Sequence, residues 1–478
     1  MDRVTTLPPP DAPELRAPSG PLAEHVRPGV WHPFTPMSAH RGETVPEIVS
    51  GDGFFLKDAA GREYFDGISS LWCNVHGHRV PEIDAAIADQ LGRIAHTTLL
   101  GLENDLANDY AARLAAILPG DLGHVFYSDS GSTAVEAAAK IAYQYHRQKP
   151  DPEPRRDRFA TVGHAYHGDT VGAVSLGGIG RFHAVYRDLV FEKREVPSPA
   201  AAAKPAALGH LSDAEWADHA VAAAEELFAT EGDRLAAFVC EPLVQGAAGM
   251  LVHPPGYLRR LRELTEAAGA LLIVDEVATG FGRTGRMFAC EHEDIAPDLI
   301  CLAKGITGGY LPLAATVATG EVFSAFLGDP LEGRTFYHGH TYTGNALACA
   351  AALASLDLFE SGDVLSNANR SAAVLERRLA ELDGRDHVHD IRRRGLMTGI
   401  ELRDADGEPF PARLRLGHRV TLAARRHGLI LRPLGDVVVL MPAPAMPPEL
   451  VDALCDRAFA AIADALDSRD RPLADLLA

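Results

Sequence analysis

The chain has 478 residues, 47% of them hydrophobic and 23% charged, and a formal net charge of −20. That charge argues against nucleic acid as a partner, and the length suits either two or three domains or one large enzyme subunit, with a generous core. No run approaches the roughly 18 apolar residues of a membrane span, so no membrane partner is expected either. The six cysteines are scattered without a C-x-x-C pair, which reads as reduced thiols in a cytoplasmic protein. His76, His78, His338 and His340 lack zinc-type spacing, and no metal is expected.

Residues 1–28 are Pro-rich, with no basic start and no apolar segment. They read as a disordered lead-in rather than a secretory signal. FFLKDAAGREYFDG, residues 54–67, alternates around Asp58-Ala-Ala-Gly61 and predicts a β-hairpin in a small N-terminal element. DGISSLWCNVHGHR follows as an irregular stretch, either a functional loop or a buried connection anchored by Trp72. From residue 81 strands and helices alternate. PEIDAAIADQLGRI and DLANDYAARLAAILPG are amphipathic helices, the second stopped by Pro-Gly. HVFYSDSGS is a strand entering a Gly turn.

STAVEAAAKIAYQYHRQ is then a helix, with Val135, Ala138, Ala142 and Tyr145 on one face and Glu136–Lys140 as an i,i+4 pair. Its Ser130-Gly131-Ser132 start offers free N–H groups, hydroxyls and a positive dipole end. That is either a phosphate site or a plain N-cap. Residues 149–158 read as a surface linker. RFATVGHAYHGDT is a strand whose Tyr166 either lies on a cofactor ring or packs in the core. Residues 197–213 form an exposed low-complexity loop. AAFVCEPLVQGAAGM is a strand with a polar end at Glu241 and Gln245, and YLRRLRELTEAAG is a helix closed by Gly269.

Residues 271–309 carry the chemistry. Leu271 to Val274 is a short apolar run ending in Asp275 and Glu276; Leu299 to Ala303 is another, ending in Lys304. Both read as buried strands of an α/β sheet. Ligands of such sheets bind at the carboxyl ends of the strands, which brings Asp275 and Lys304 to one crevice. An amine and a carboxylate so placed suit pyridoxal phosphate: the amine forms an imine with the aldehyde, and the carboxylate keeps the ring nitrogen protonated. The chain has only six lysines and uses Arg heavily, so a Lys at a strand end is informative; Arg stays protonated and cannot form the imine. Gly280-Phe-Gly282-Arg-Thr-Gly285 matches the dinucleotide fingerprint, but five residues part it from the strand and no clear helix follows.

After residue 310, TFYHGHTYTGN is a loop entering a long apolar helix. Helices at 364–382 and 414–428 with the strands MTGIEL, LILRP and VVVLMP form an α+β cap. Arg432 ends one of these strands, as a carboxylate clamp or as a solvated surface residue.

The motifs WHPFTPM, DGISSLWCNVHGHR, SDSGSTAVEAAAKIA, YHGDTVGA, EPLVQGAAGM, VDEVATGFGRTGRMFACEHEDIAPD, KGITGG, HGHTYTGN and RPLGD span Trp31 to about Met446. On them the sequence resembles the class III, fold-type-I pyridoxal-phosphate aminotransferases, and among these the branch that aminates 8-amino-7-oxononanoate in biotin biosynthesis. The resemblance implies a mainly parallel seven-stranded sheet flanked by helices, with a small α+β domain built from both chain ends. The expected division is 29–80 and 336–478 in the small domain and 81–335 in the large one.

The same resemblance implies roles for individual residues. Lys304 bonds the cofactor and Asp275 pairs with its ring nitrogen. Gly131 and Ser132 hold its phosphate, Tyr166 stacks near the ring, and Glu241 positions the loop facing it. His340 and Thr341 reach the phosphate from the partner of a homodimer. Phe34, Leu71, Trp72, Tyr166, Gly339 and Arg432 contact substrate, the Arg432 guanidinium binding the carboxylate of the oxononanoate. Phe34 stands where many members have Tyr, Leu71 replaces the first of two adjacent Trp residues, and His340 replaces a Pro. That set resembles the members that use lysine rather than S-adenosylmethionine as amino donor; either donor is compatible with the rest.

Overall fold

The computed structural model describes residues 29–40 and 43–473. The lead-in expected at 1–28 lies outside the described residues. The central sheet has seven strands: β1 (Leu122–Ser128), β2 (Arg158–Val162), β3 (Arg194–Val196), β4 (Leu235–Cys240), β5 (Leu271–Asp275), β6 (Leu299–Leu302) and β7 (Ala314–Thr319). Their spatial order is β1-β7-β6-β5-β4-β2-β3. Strand β7 runs antiparallel to β1 and β6, and the remaining pairings are parallel. The fold is the α/β architecture expected. Every residue of β4 and β5 is buried, because helices cover both faces of the sheet, and this is why the strands read as unbroken apolar runs.

The pleat sorts those runs between two cores. Leu272, Val274, Ile300 and Leu302 face one layer, where Leu356 and Phe359 of the helix Ala346–Ser361 pack. Ile273, Leu299 and Cys301 face the other, against Val135, Ala138, Ile141 and Tyr145 of α1 (Gly131–Gln148). Burying these side chains, at about 2 kcal/mol for each large apolar one, is what holds the sheet between its helices.

Both chain ends share a further core. Phe65, Ile68 and Trp72 pack with Leu375, Met397, Leu416, Leu429, Leu440 and Leu454. The expected hairpin forms between Phe55–Asp58 and Glu63–Asp66. Asp58 pins its turn, accepting from Ala60 N, Arg62 N and the Tyr64 hydroxyl. Leu429–Ile430 extends that sheet in parallel. Val388–Arg394, Met397–Leu402 and Val437–Leu440 make a separate antiparallel sheet. Among the described residues, no helix is long and apolar enough to cross a membrane, and no group of three or more His, Cys, Asp or Glu could hold a metal ion.

Three local expectations are corrected. Glu136 and Lys140 do not pair: Glu136 Oε1 accepts from Gly172 N at 2.8 Å, and Lys140 Nζ bonds His338 Nδ1 at 3.0 Å. A helix-surface pair contributes only about 0.2–0.5 kcal/mol and yields to tertiary partners. The 149–158 linker is not all surface, because buried Arg156 donates to the carbonyls of Gly232, Leu235 and Ala268. In the 197–213 loop Ser198 and Ala200 are buried, and Ala200 O accepts from Trp216 Nε1 at 3.0 Å.

Candidate active site

A cavity of about 440 Å³ opens at the carboxyl ends of β4, β5 and β6, and Trp72, Gly131, Ser132, Tyr166, Glu241, Asp275 and Lys304 all line it. Asp275 is the last residue of β5 and is buried. Its Oδ2 accepts from His167 Nδ1 at 2.8 Å and its Oδ1 from Val277 N at 3.0 Å, so both oxygens are held. Lys304 follows the end of β6, one strand over, with a left-handed φ of 48° that breaks the strand and turns its side chain out of the ladder. Lys304 Nζ lies 5.2 Å from the centre of the Trp72 ring. Burial holds this ammonium below the ordinary lysine value, against the opposing pull of Asp275 and Glu241.

The opposite wall is the start of α1. Ser130 caps it in a reciprocal box with Thr133. The N–H groups of Gly131 and Ser132 are then left for a ligand, at the positive end of an 18-residue helix. A Cβ on Gly131 would stand 2.7 Å from Val277 Cγ1, and one on Gly168 would stand 1.8 Å from Ser132 Oγ. The glycines are there because backbones must close tightly around this end. Ser132 Oγ accepts from Asp169 N at 3.0 Å. The Tyr166 hydroxyl donates to Asp169 Oδ2 at 2.7 Å, and Tyr166 N donates to Glu241 Oε2 at 3.1 Å. Glu241 Oε1 accepts from Gly246 N at 2.9 Å. Burial pushes the Glu241 carboxyl up to about 7, helped by Asp275 and opposed by His167 and the two backbone donors.

These residues fit pyridoxal phosphate. The helix start with its glycines suits a phosphate, Asp275 suits a cationic ring nitrogen, and Lys304 is an amine biased toward the neutral, nucleophilic form. His167 Nε2 is buried in the same wall with no hydrogen-bond partner among the described residues.

Other expected site residues stand apart from this cavity. Arg432 and Phe34 meet each other, the guanidinium carbon 5.8 Å from the ring centre. Phe34 packs edge-on to Phe182 at 5.3 Å, and Phe182 to Tyr166 at 6.3 Å, so an aromatic wall joins Arg432 to the cavity. Leu71 and Gly339 are exposed. His340 Nδ1 sits 3.2 Å from Asp129 Oδ2 of the same chain, while Thr341 is exposed and its carbonyl accepts from His96 Nε2.

Sequence reasoning missed His167, Phe182 and Arg283. The first follows Tyr166 directly, and its buried acid partner is the only signal that singles it out. Arg283, inside the glycine-rich decoy, is buried and donates to Ser69 Oγ, Pro442 O and Asn74 O, fixing the loop that carries Trp72.

The class III aminotransferase family model matches residues 37–466. The chain belongs to this family. Class III aminotransferases depend on pyridoxal phosphate, in agreement with the fit described above. The chain is 55% identical over 416 residues, 86% of its length and 76% of the relative's, to the adenosylmethionine-8-amino-7-oxononanoate aminotransferase of Nitratidesulfovibrio vulgaris. It is 48% identical to that of Geobacter sulfurreducens, over 91% of this chain and 96% of the relative. Among solved structures, the Methanocaldococcus jannaschii protein of the same name superposes with a TM-score of 0.84 at 39% identity, covering 91% of this chain and 97% of that one. An amine transaminase from an uncultivated Pseudomonas species, solved with pyridoxal phosphate bound, gives 0.86 at 34%, covering 92% and 100%.

Proposed function

We infer that this class III aminotransferase converts 8-amino-7-oxononanoate to 7,8-diaminononanoate in biotin biosynthesis, with S-adenosylmethionine or L-lysine as amino donor. The observation that carries the reading is the Asp275–Lys304 pair at adjacent strand ends of one cavity, in a chain whose relatives at 48–55% identity bear that enzyme's name.

Pyridoxal phosphate, when bound, supplies an aldehyde that condenses with amines and a ring that takes up the electrons freed as a Cα–H bond breaks. Lys304 Nζ would hold the aldehyde end of the group, and as a neutral amine it would take up and return a proton at the carbon that carries the amino group. Burial, which favours the neutral amine, prepares it for both tasks. Asp275 keeps a proton at the ring nitrogen, and His167 keeps Asp275 oriented by holding one oxygen. Gly131 N, Ser132 N and Ser132 Oγ bind the phosphate. Tyr166 and Trp72 cover the reacting centre and exclude water. Glu241 positions the loop facing the ring. Arg432 pairs with the carboxylate of the oxononanoate, and the apolar chain of that substrate runs along the Phe34–Phe182–Tyr166 wall.

The same reading makes the protein a cytoplasmic homodimer, with His340 and Thr341 closing the phosphate end of the partner's site and Gly339 and Leu71 beside substrate. It divides the chain at 29–80 and 336–478 for the small domain and 81–335 for the large. The alternative is a class III enzyme for other ω-amino acids or diamines, which the likeness to an (S)-enantioselective omega-transaminase from Thermomicrobium roseum keeps in view, at TM-score 0.85 and 35% identity. Incubating the purified holoenzyme with the oxononanoate and either donor, then measuring diaminononanoate, decides between them. Product with one donor supports the reading; none with either, alongside turnover of simple ω-amines, refutes it.

A further inference from the structure

A second cavity, also of about 440 Å³, lies away from the site just described. Three separate segments wall it: Thr284 and His292 from the loop after β5, Asn369 and Ala373 from the helix Val364–Leu379, and Arg393 and Arg394 at the tight turn between Val388–Arg394 and Met397–Leu402. The two arginines differ sharply in their company. Arg393 is engaged by Glu376 at 2.9 Å and by Gly395 O at 3.0 Å. Arg394 has a buried Nε with no hydrogen-bond partner among the described residues. Glu293 is the acid whose field reaches Arg394, and its carboxylate is already taken by Gly256 N and Arg259 N.

A guanidinium carries five N–H donors in a fixed fork, and withdrawing it from water without an acceptor costs free energy. Glu376, the carboxylate on the cavity wall, is paired with Arg393, and His292 feels the neighbouring guanidinia. Burial first, then the Arg394 and Arg286 guanidinia, keep that imidazole neutral, at about 4, while its Nε2 lies 3.1 Å from Thr284 O and 3.2 Å from Thr284 Oγ1, which leaves the hydroxyl proton of Thr284 to donate elsewhere. Forked donors of this kind match the oxygens of a phosphate group.

We propose that this cavity binds a phosphate-type oxyanion, with Arg394 as its principal ligand and Arg393 and the Thr284 hydroxyl completing the cradle. The anion would pin two parts of the molecule together. The turn at Gly395 already presses on the Thr284 backbone, since a Cβ there would lie 2.6 Å from Thr284 Cα, and Leu396 N donates to Arg283 O at 2.9 Å. Arg283 in turn fixes the loop bearing Trp72. The site therefore joins the helix–hairpin unit of the C-terminal segment to the loop that supports one wall of the cofactor cavity. The proposal does not depend on which substrate the enzyme takes.

The test uses holoenzyme saturated with pyridoxal phosphate, so that the helix start at Gly131 is filled. Thermal midpoints are measured with inorganic phosphate, glycerol 2-phosphate or acetate, each against chloride at matched ionic strength. Phosphate at ten times its dissociation constant should raise the wild-type midpoint by about 2 °C. R394Q, with basal activity unchanged, should lose the response. A373E places a carboxylate at the cavity rim and should also lose it, which guards against a folding defect in R394Q. A glycerol 2-phosphate response equal to that of phosphate identifies a phosphomonoester as ligand; a response to inorganic phosphate alone identifies the free ion. No wild-type shift, an equal shift in all three proteins, or a response to acetate as large as to phosphate overturns the proposal.

Discussion

Replacing His167 tests how the acid under the cofactor ring is held. Its side chain is fully buried and Asp275 is 5% exposed, so neither can recruit bulk water when the 2.8 Å contact is lost. In His167→Leu the Oδ2 oxygen of Asp275 keeps no donor from the imidazole, while Oδ1 retains Val277 N. A hydrogen bond to a charged group contributes about 1.5–3 kcal/mol, and about 1.4 kcal/mol is tenfold in rate, so kcat should fall by about 10- to 150-fold. His167→Asn restores an N–H close to the imidazole Nδ1 position and should recover activity to within about fivefold of wild type. The apparent KM for the oxononanoate should not change, because Arg432 lies beyond the aromatic wall. The assay is steady-state diaminononanoate formation on variants shown to retain bound cofactor by their visible absorbance. Wild-type kcat in His167→Leu, or equal losses in both variants, refutes the orienting role.

Lys304→Ala should lose both turnover and the visible absorbance of lysine-bound cofactor, and residual full activity would remove Lys304 from the chemistry. Arg432→Ala should raise the KM for the oxononanoate about 10- to 100-fold while leaving that for the donor nearly unchanged; equal effects on both would show that it clamps no carboxylate. Glu241 supplies a pH dependence. Its folded value of about 7 lies above the ordinary 4.5, so its contribution is complete below pH about 4.5 and is lost as pH rises through about 7. That contribution is on the order of 3 kcal/mol. Thermal midpoints followed from pH 5 to 8 should therefore fall less in Glu241→Gln than in wild type, and parallel curves would contradict the burial of an acid at this position.

The features legible in the sequence are those that short-range pattern controls. The apolar runs at 271–274 and 299–303 are unbroken because both faces of the sheet are covered, and each stops where the chain meets solvent in the cavity. The pattern alone therefore marks Asp275 and Lys304. The hairpin at 54–67 and the helix start at 130–132 are likewise fixed by turn and cap chemistry within a few residues. Long-range pairing leaves no comparable trace. Asp275 and His167 are 108 residues apart, and Phe34 and Phe182 meet only because the chain ends fold back over the sheet. The strand Val388–Arg394 gives no clear signal because three consecutive arginines hide its alternation, and all three serve ion pairs or a cavity wall rather than open solvent. Strand β7 and the helix Asp213–Glu231 lie in Ala-rich stretches whose period is too weak to mark them, whereas Pro448–Asp467 carries a regular apolar stripe through Val451, Leu454, Cys455, Ala458, Phe459 and Ile462 that the sequence reading left unused.

The glycine-rich decoy shows why motif matches need a physical context. Gly282 and Gly285 have φ of 86° and 96°, and a Cβ on Gly280 would stand 2.9 Å from Glu276 O. Those constraints come from a tight run of turns packed under buried Glu276, whose oxygens accept from Ala289 N and Cys290 N. The loop uses its glycines to close over an acid and to present Arg283 to three acceptors, and no helix opens at its end to receive a pyrophosphate. The geometry that suits a phosphate lies instead at the start of α1, where free N–H groups, a hydroxyl and close backbone approach coincide beside Asp275 and Lys304.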